Sequence, residues 1–141
     1  MQSPNPEWRA EVERVFHGAP FIQSLGAQLI EAAPGYCLSR IPLDQHHLQQ
    51  DGYVHAGVQA TLADHTAGTA AASLLPPGHI VLTAEFKINL LRAAKGSVLM
   101  AEARVLKPGR MLTIAETEVY IEGDRHRLVA KATVTLANVE R

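Results

Sequence analysis

Asp64 is the residue in this chain that most needs a reason to be where it is. It lies inside the apolar run Ala56–Leu75, with Leu62 and Ala63 before it and Ala67 one turn after it. A carboxylate in such a setting is rarely buried without a partner. Two readings are open: hydrogen bonds hold it for structure, or it faces a cleft and acts as a base or nucleophile. Upstream, Gly52-Tyr53-Val54-His55-Ala56-Gly57 places glycines around a turn into the helix that the run predicts. The first N–H groups of any helix lack internal partners, and with the helix dipole they suit a developing oxyanion. The plainer reading is a glycine-assisted loop-to-helix turn. His55 is open to three roles: a catalytic base, a metal ligand, or a loop residue bonded to backbone.

Four of the seven histidines, His46, His47, His55 and His65, fall in one stretch. No His-Glu-x-x-His is present and Cys37 is alone, so no metal is expected. Arg92, Lys95, Lys107 and Arg110 stand near turns. They read either as solvated surface or as contacts for ligand phosphates. No Gly-x-Ser-x-Gly elbow and no phosphate-binding glycine loop occurs, and Lys107-Pro108-Gly109-Arg110 reads as a hairpin turn.

The elements that must position these residues follow from patterning. Asn5-Pro6-Glu7 looks like a helix start, and Trp8, Val12, Val15 and Phe16 continue at helical spacing until Gly18 and Pro20. Phe21, Ile22 and Leu25 suggest a second short helical turn. Ala27–Ala33 and Tyr36–Leu43 read as strands around Pro34-Gly35. The long helix runs from His55 to about Leu75, where Pro76-Pro77-Gly78 stops it. Beyond it, Ile80, Leu82, Ala84, Phe86, Ile88 and Leu90 alternate with more polar residues as one strand face. Further strands are expected at Ser97–Leu106, Met111–Ile121 and Arg125–Ala137, in an antiparallel meander. The helix is rich in Ala, Gly and Ser, so the strands must supply bulk around it. The expected class is α+β: a long central helix wrapped by a curved antiparallel sheet of about six strands. Uncovered edges of such a sheet invite a partner subunit.

Composition bounds the rest. At 141 residues, 47% hydrophobic and 19% charged, the chain suits one domain with a true core, residues 1–25 forming an N-terminal helical extension. Thirteen Lys and Arg against 14 Asp and Glu argue against a nucleic-acid binder. The acidic N-terminus has no apolar signal region, and Asp64 and His65 interrupt the long apolar run, so no membrane span is expected. A single cysteine agrees with a reducing, cytoplasmic home.

The block Gly52-x-x-His55-Ala56-Gly57-x-x-Ala60-Thr61-Leu62-Ala63-Asp64-x-x-x-Gly68-x-Ala70 resembles the hotdog-fold acyl-CoA thioesterases of the PaaI type, from phenylacetic acid degradation. Leu82–Ala94 is similar to the strand after the helix in that family. Gly109-Arg110 and Leu128–Thr133 fit its last hairpin. The resemblance covers roughly Gly26 to Ala137. It implies a hotdog fold, association as a dimer or a tetramer built of dimers, and hydrolysis of an acyl-CoA thioester, with CoA part of the substrate and no separate cofactor. It implies Asp64 as the catalytic carboxylate, and the Ala56 N–H, with Gly57 beside it, as the donor to the thioester carbonyl. His55 opens that turn, Gln49 matches the family's amide donor, and Thr83 matches the hydroxyl that helps hold water. Arg92, Lys107 and Arg110 are the candidates for the CoA phosphates. Thr83 shares strand parity with Glu85 and Lys87, opposite the apolar series, so its placement needs a bulge or a partner's cleft. Ala56 and Asp64 are eight residues apart, about 12 Å along a helix. That separation favours a site shared by two antiparallel helices of a dimer. The alternatives are a non-catalytic acyl-CoA-binding hotdog module, a hotdog dehydratase, whose motif does not fit, and a purely structural dimer.

Overall fold

The computed structural model describes residues 1–141. Two short helices, α1 (Trp8–Gly18) and α2 (Pro20–Ser24), lead into strands β1 (Gln28–Ala33) and β2 (Tyr36–Pro42). A 3-10 turn at Gln45–His47 precedes the long helix α3 (Ala56–Ala72). Strands β3 (His79–Leu90), β4 (Val98–Lys107), β5 (Leu112–Ile121) and β6 (Ala130–Glu140) complete the chain. The six strands form one antiparallel sheet in the order β1-β2-β4-β5-β6-β3, leaving β1 and β3 as edges. The expected α+β architecture, a helix wrapped by one antiparallel sheet, is the one observed.

Small side chains explain how α3 sits so close to the sheet. Ala63, Ala67, Ala70 and Ala71 are buried along it. The Thr117 hydroxyl on β5 donates directly to the Ala63 carbonyl at 2.8 Å, and Thr66 Oγ1 on α3 lies 2.6 Å from Ser39 Oγ on β2. Bulk comes from around the helix: Phe16 of α1, Ile41, Leu99, Val119, Val134 and Leu136 are all fully buried. Removing a side chain such as Leu136 would cost about 2–5 kcal/mol.

Three local expectations change. Asn5 does not cap α1; its side chain accepts the Glu7 N–H at 2.9 Å, and Glu7 occupies the cap position. The last strand starts at Ala130 and not at Arg125, because residues 125–129 are drawn into a turn tied back to β5 through the Val129 N–H to the Val119 carbonyl. The third change matters most. β3 is not a single alternating face. Its pairing with β6 shifts between Thr83, opposite Leu136, and Glu85, opposite Thr135. Ala84 is thus the extra residue of a β-bulge, which resets the alternation. Leu136 and Val134 both face the core, so their partners Thr83 and Phe86 also face the helix side. Leu82 is turned to the outer face, where it is 56% exposed. The bulge supplies the reconciliation that the parity of Thr83 requires.

Candidate active site

The bulge brings Thr83 to the helix. Its hydroxyl donates to Asp64 Oδ1 at 2.7 Å, joining the edge strand to the middle of α3. The second carboxylate oxygen has no partner in the chain. Asp64 is half-buried and lines a cavity of about 380 Å³ with Ala60, Thr61, His65 and Phe86, closed from the other side by Phe21 and Ile22 of α2. Beside it, His65 bonds through Nε2 to the Phe16 carbonyl at 3.1 Å. Burial holds the His65 pKa below its ordinary value, although the Phe16 carbonyl and the Asp64 carboxylate pull the other way. His65 is therefore neutral at pH 7 and anchors α1 against α3.

The start of α3 builds a second centre. His55 is the N-cap, and its Nδ1 accepts the Gly57 N–H at 2.8 Å. A side chain at Gly57 would put its Cβ 3.0 Å from that ring nitrogen, which accounts for glycine there. With Nδ1 accepting, the neutral ring carries its proton on Nε2. The Gly57 N–H is thus occupied. The Val58 and Gln59 N–H groups both reach the His55 carbonyl. The Ala56 N–H alone among these first-turn donors has no partner within the chain. Positive φ is confined to glycines, so Ala56 fits its position without strain.

Gln49 lines the same cavity as Ala56. Its side-chain oxygen accepts the N–H groups of Asp51 and Tyr53, and its backbone closes the same turn through the Tyr53 carbonyl and the Gly52 N–H. With its oxygen held inward by this turn, the amide nitrogen is left as a free donor. Gln49, His55, Ala56, Leu90 and Arg92 share another cavity of about 380 Å³. No residue lines both this cavity and the one holding Asp64. Within one chain, then, the structure groups Gln49, His55, Ala56, Gly57 and Arg92 in one place and Asp64 with Thr83 in another.

The basic candidates also separate. Arg92 is anchored by the Leu128 carbonyl at 2.7 Å and lines a smaller adjoining cavity with Lys95, Arg127 and Asp124. Lys95 also lies over the Tyr53 ring at 6.0 Å. Arg110 lines a different cavity, beside Pro76 and His79, and Lys107 ends β4 nearby. Neither reaches the rim of the Ala56 cavity in the chain. Sequence reading missed Arg127, which the patterning places inside the expected last strand and the structure places in the turn before it, and the pair Phe21 and Phe86, whose meeting depends on tertiary packing. Of the two other histidines in that stretch, His47 accepts the Asp44 N–H and bonds the Leu25 carbonyl, while His46 stacks on it with ring centroids 3.9 Å apart. No group of three or more His, Cys, Asp or Glu side chains is gathered as for a metal ion.

A backbone donor at a helix start, a free amide lining the same cavity, and a carboxylate held by a strand hydroxyl are groups of the kinds that carbonyl hydrolysis uses. Residues 51–128, more than half of the chain, match the Thioesterase superfamily. The chain belongs to that family. The matched stretch of this thioesterase-superfamily member spans the His55 turn, Asp64, Thr83 and Arg92. A thioesterase-family protein from Silicibacter pomeroyi superposes with a TM-score of 0.90 at 36% identity, covering 95% of this chain and 99% of that one. PaaI of E. coli, from the phenylacetic acid degradation operon, superposes with a TM-score of 0.85 at 18% identity, covering 97% of this chain and 96% of its own, and so shares the hotdog fold. The 1,4-dihydroxy-2-naphthoyl-CoA hydrolase of Listeria monocytogenes is 23% identical over 114 residues, which is 81% of this chain and 93% of the relative. No helix of this thioesterase-family chain is long and apolar enough to cross a membrane.

Proposed function

We propose that this protein hydrolyses an acyl-CoA thioester to a free acid and CoA, in sites built between two copies of the chain. The carrying observation is the split: the free Ala56 N–H and the Asp64 carboxylate open into separate cavities. Helix geometry sets them about 12 Å apart, too far for one carbonyl and its attacking water. The unpaired edge β3 offers the remedy. It runs for 12 residues, and Leu82, Phe86 and Leu90 along it are 56%, 41% and 50% exposed. Such an edge is a template for a second strand. Antiparallel pairing of two β3 strands brings the Leu90 end of one, at the Ala56 cavity, towards the Thr83 end of the other, at Asp64.

In the joined site the thioester carbonyl accepts from the Ala56 N–H and the Gln49 amide of one copy. Asp64 of the second copy, oriented by Thr83, takes a proton from water as the water oxygen attacks the carbonyl carbon. The tetrahedral oxyanion is held by the two donors. Its collapse breaks the C–S bond, and the departing thiolate recovers the proton from Asp64. His55 serves by shaping the turn: it removes the Gly57 N–H from competition and leaves Ala56 as the donor. Phe21 and Phe86 wall the cavity at Asp64 and offer apolar surface for the acyl group. Arg92, Lys95 and Arg127 enter no ion pair and converge beside the Ala56 cavity, which suits them to the phosphates of CoA. The protein works as a dimer or larger assembly in this scheme. Thiol release from phenylacetyl-, hydroxybenzoyl- and medium-chain acyl-CoA esters tests it. Release from at least one at enzymatic rates is expected; binding of these esters without release would identify a non-catalytic acyl-CoA module.

A further inference from the structure

Gln59 lies in the first turn of α3 and is 4% exposed. Its amide nitrogen donates to the Val54 carbonyl at 3.4 Å, beyond the usual range for such a bond. Its oxygen is the chain's only buried side-chain polar atom without a partner. In this orientation the amide nitrogen, and not a second carbonyl oxygen, faces the Val54 carbonyl. What is missing is therefore a donor. Elsewhere in the same helix the buried hydroxyls are satisfied, Thr66 by Leu62, Thr69 by His65 and Ser73 by Ala70. Gln59 also forms part of the wall of the cavity that holds Gln49 and Ala56. Three residues past Ala56, it lies on nearly the same side of the helix.

We propose that Gln59 is a specificity-determining residue that accepts a hydrogen bond from an O–H or N–H donor carried by the thioester substrate. The proposal rests on the thioester-hydrolase reading of the site. A buried acceptor without a donor is costly, and a ligand that supplies one removes that cost while a ligand lacking it does not. The terminal amide torsion of glutamine is soft, so turning the oxygen into the cavity sacrifices only the long contact to Val54. A carbonyl oxygen cannot stabilise the oxyanion, so Gln59 selects the substrate and leaves the polarising role to Ala56 and Gln49. Two parts of an acyl-CoA carry a suitable donor near the thioester: a hydroxyl on the acyl group, or the first amide N–H of the pantetheine arm.

The test measures kcat/KM for wild type and Gln59→Leu on paired substrates. The hydroxyl arm compares hydroxybenzoyl-CoA isomers with benzoyl-CoA, and 3-hydroxyhexanoyl-CoA with hexanoyl-CoA. The amide arm compares an N-acetylcysteamine thioester with its analogue in which an ester oxygen replaces the N–H. Wild type is expected to favour the donor-bearing member of one arm by at least about tenfold, because a site built around a polar contact rejects ligands lacking it. Gln59→Leu should erase the preference, and the ratio of ratios cancels intrinsic substrate reactivity. The arm that responds identifies the donor. Gln59→Met serves where leucine disturbs folding, and the wild-type ratios need no variant. No preference in either arm, or a preference that survives both substitutions, overturns the assignment while leaving thioester hydrolysis standing. Failure of wild type to cleave any thioester overturns both.

Discussion

Replacing Ala56 by proline removes one atom group from the proposed chemistry and little else. Ala56 is the first residue of α3, where the missing proline N–H breaks no helical bond. Its N–H donates to nothing within the chain, so folding loses no hydrogen bond. The preceding residue is restricted by proline to extended conformations, and His55 already has φ −60° and ψ 137°. The His55 to Gly57 contact that shapes the turn involves neither the Ala56 nitrogen nor its side chain. Reduced freedom of the unfolded chain should make Ala56→Pro equal to wild type in stability or about 0.4–1 kcal/mol better. Catalysis should move the other way. Loss of one oxyanion donor costs about 2.7–4 kcal/mol, or about 10²–10³ in kcat. Ala56→Gly keeps the N–H and should keep most turnover, which separates the donor from any effect of changing the side chain. Thermal unfolding and thiol release on the same preparations make the comparison. A folded Ala56→Pro protein with wild-type turnover would refute the role given to this backbone group.

Four other expectations follow from the same geometry. Asp64→Asn keeps an oxygen for the Thr83 hydroxyl, so its Tm should stay close to wild type while turnover falls about 10²–10⁴-fold; full activity would remove Asp64 from the mechanism. Mixing Gln49→Ala chains with Asp64→Ala chains, each inactive alone, should restore about a quarter of wild-type sites if random dimers form and each site is shared; no recovery after subunit exchange is shown would place both residues in one chain's site. Neutralising Lys95 and Arg127 together should raise KM for a CoA ester and leave the matching N-acetylcysteamine thioester unaffected; equal effects on both would mean these cations do not meet phosphate. Because burial depresses the His65 pKa, the unfolded chain binds a proton that the folded chain refuses. Stability should thus fall as pH drops from about 6.5 through the lower folded value, and His65→Asn should show a smaller loss of Tm between pH 7.5 and 5; an unchanged loss would assign the effect to other groups.

The parts of this molecule that could be read from its sequence are those fixed by neighbours along the chain. The helical run ending at Pro76-Pro77-Gly78, the glycine turn at Gly35 and the strand positions rest on local chemistry, and the structure keeps them to within a few residues, except for the start of the last strand at Ala130. The Gly52–Asp64 block could likewise be recognised, because a helix start and a residue two turns on keep a fixed relation in any setting. What could not be read depends on distant pairing. Ala84 looks like one more member of an alternating face; only the register against β6 makes it a bulge. Gln59 looks like a polar residue on a helix, and its missing donor becomes visible only once Val54 and the cavity are in place. Phe21 and Phe86 are 65 residues apart, and nothing local tells that they meet at Asp64.

The bulge also explains why the edge strand and the site belong to one design. A regular β3 that presented Phe86 and Leu90 inward would turn Thr83 to the outer face, away from Asp64. Shifting the register by a whole residue to bring Thr83 inward would expose Phe86, Ile88 and Leu90 outward in exchange, since a one-residue slip reverses every side chain. Inserting Ala84 satisfies both halves: the apolar residues after it close the sheet over α3, and the hydroxyl before it reaches the carboxylate. Deleting Ala84 would therefore damage the Thr83 hydroxyl contact to Asp64 or the apolar face, whichever half of the strand kept its register. The extra residue is left on the strand whose outer edge is unpaired, where only one neighbouring strand has to accommodate it.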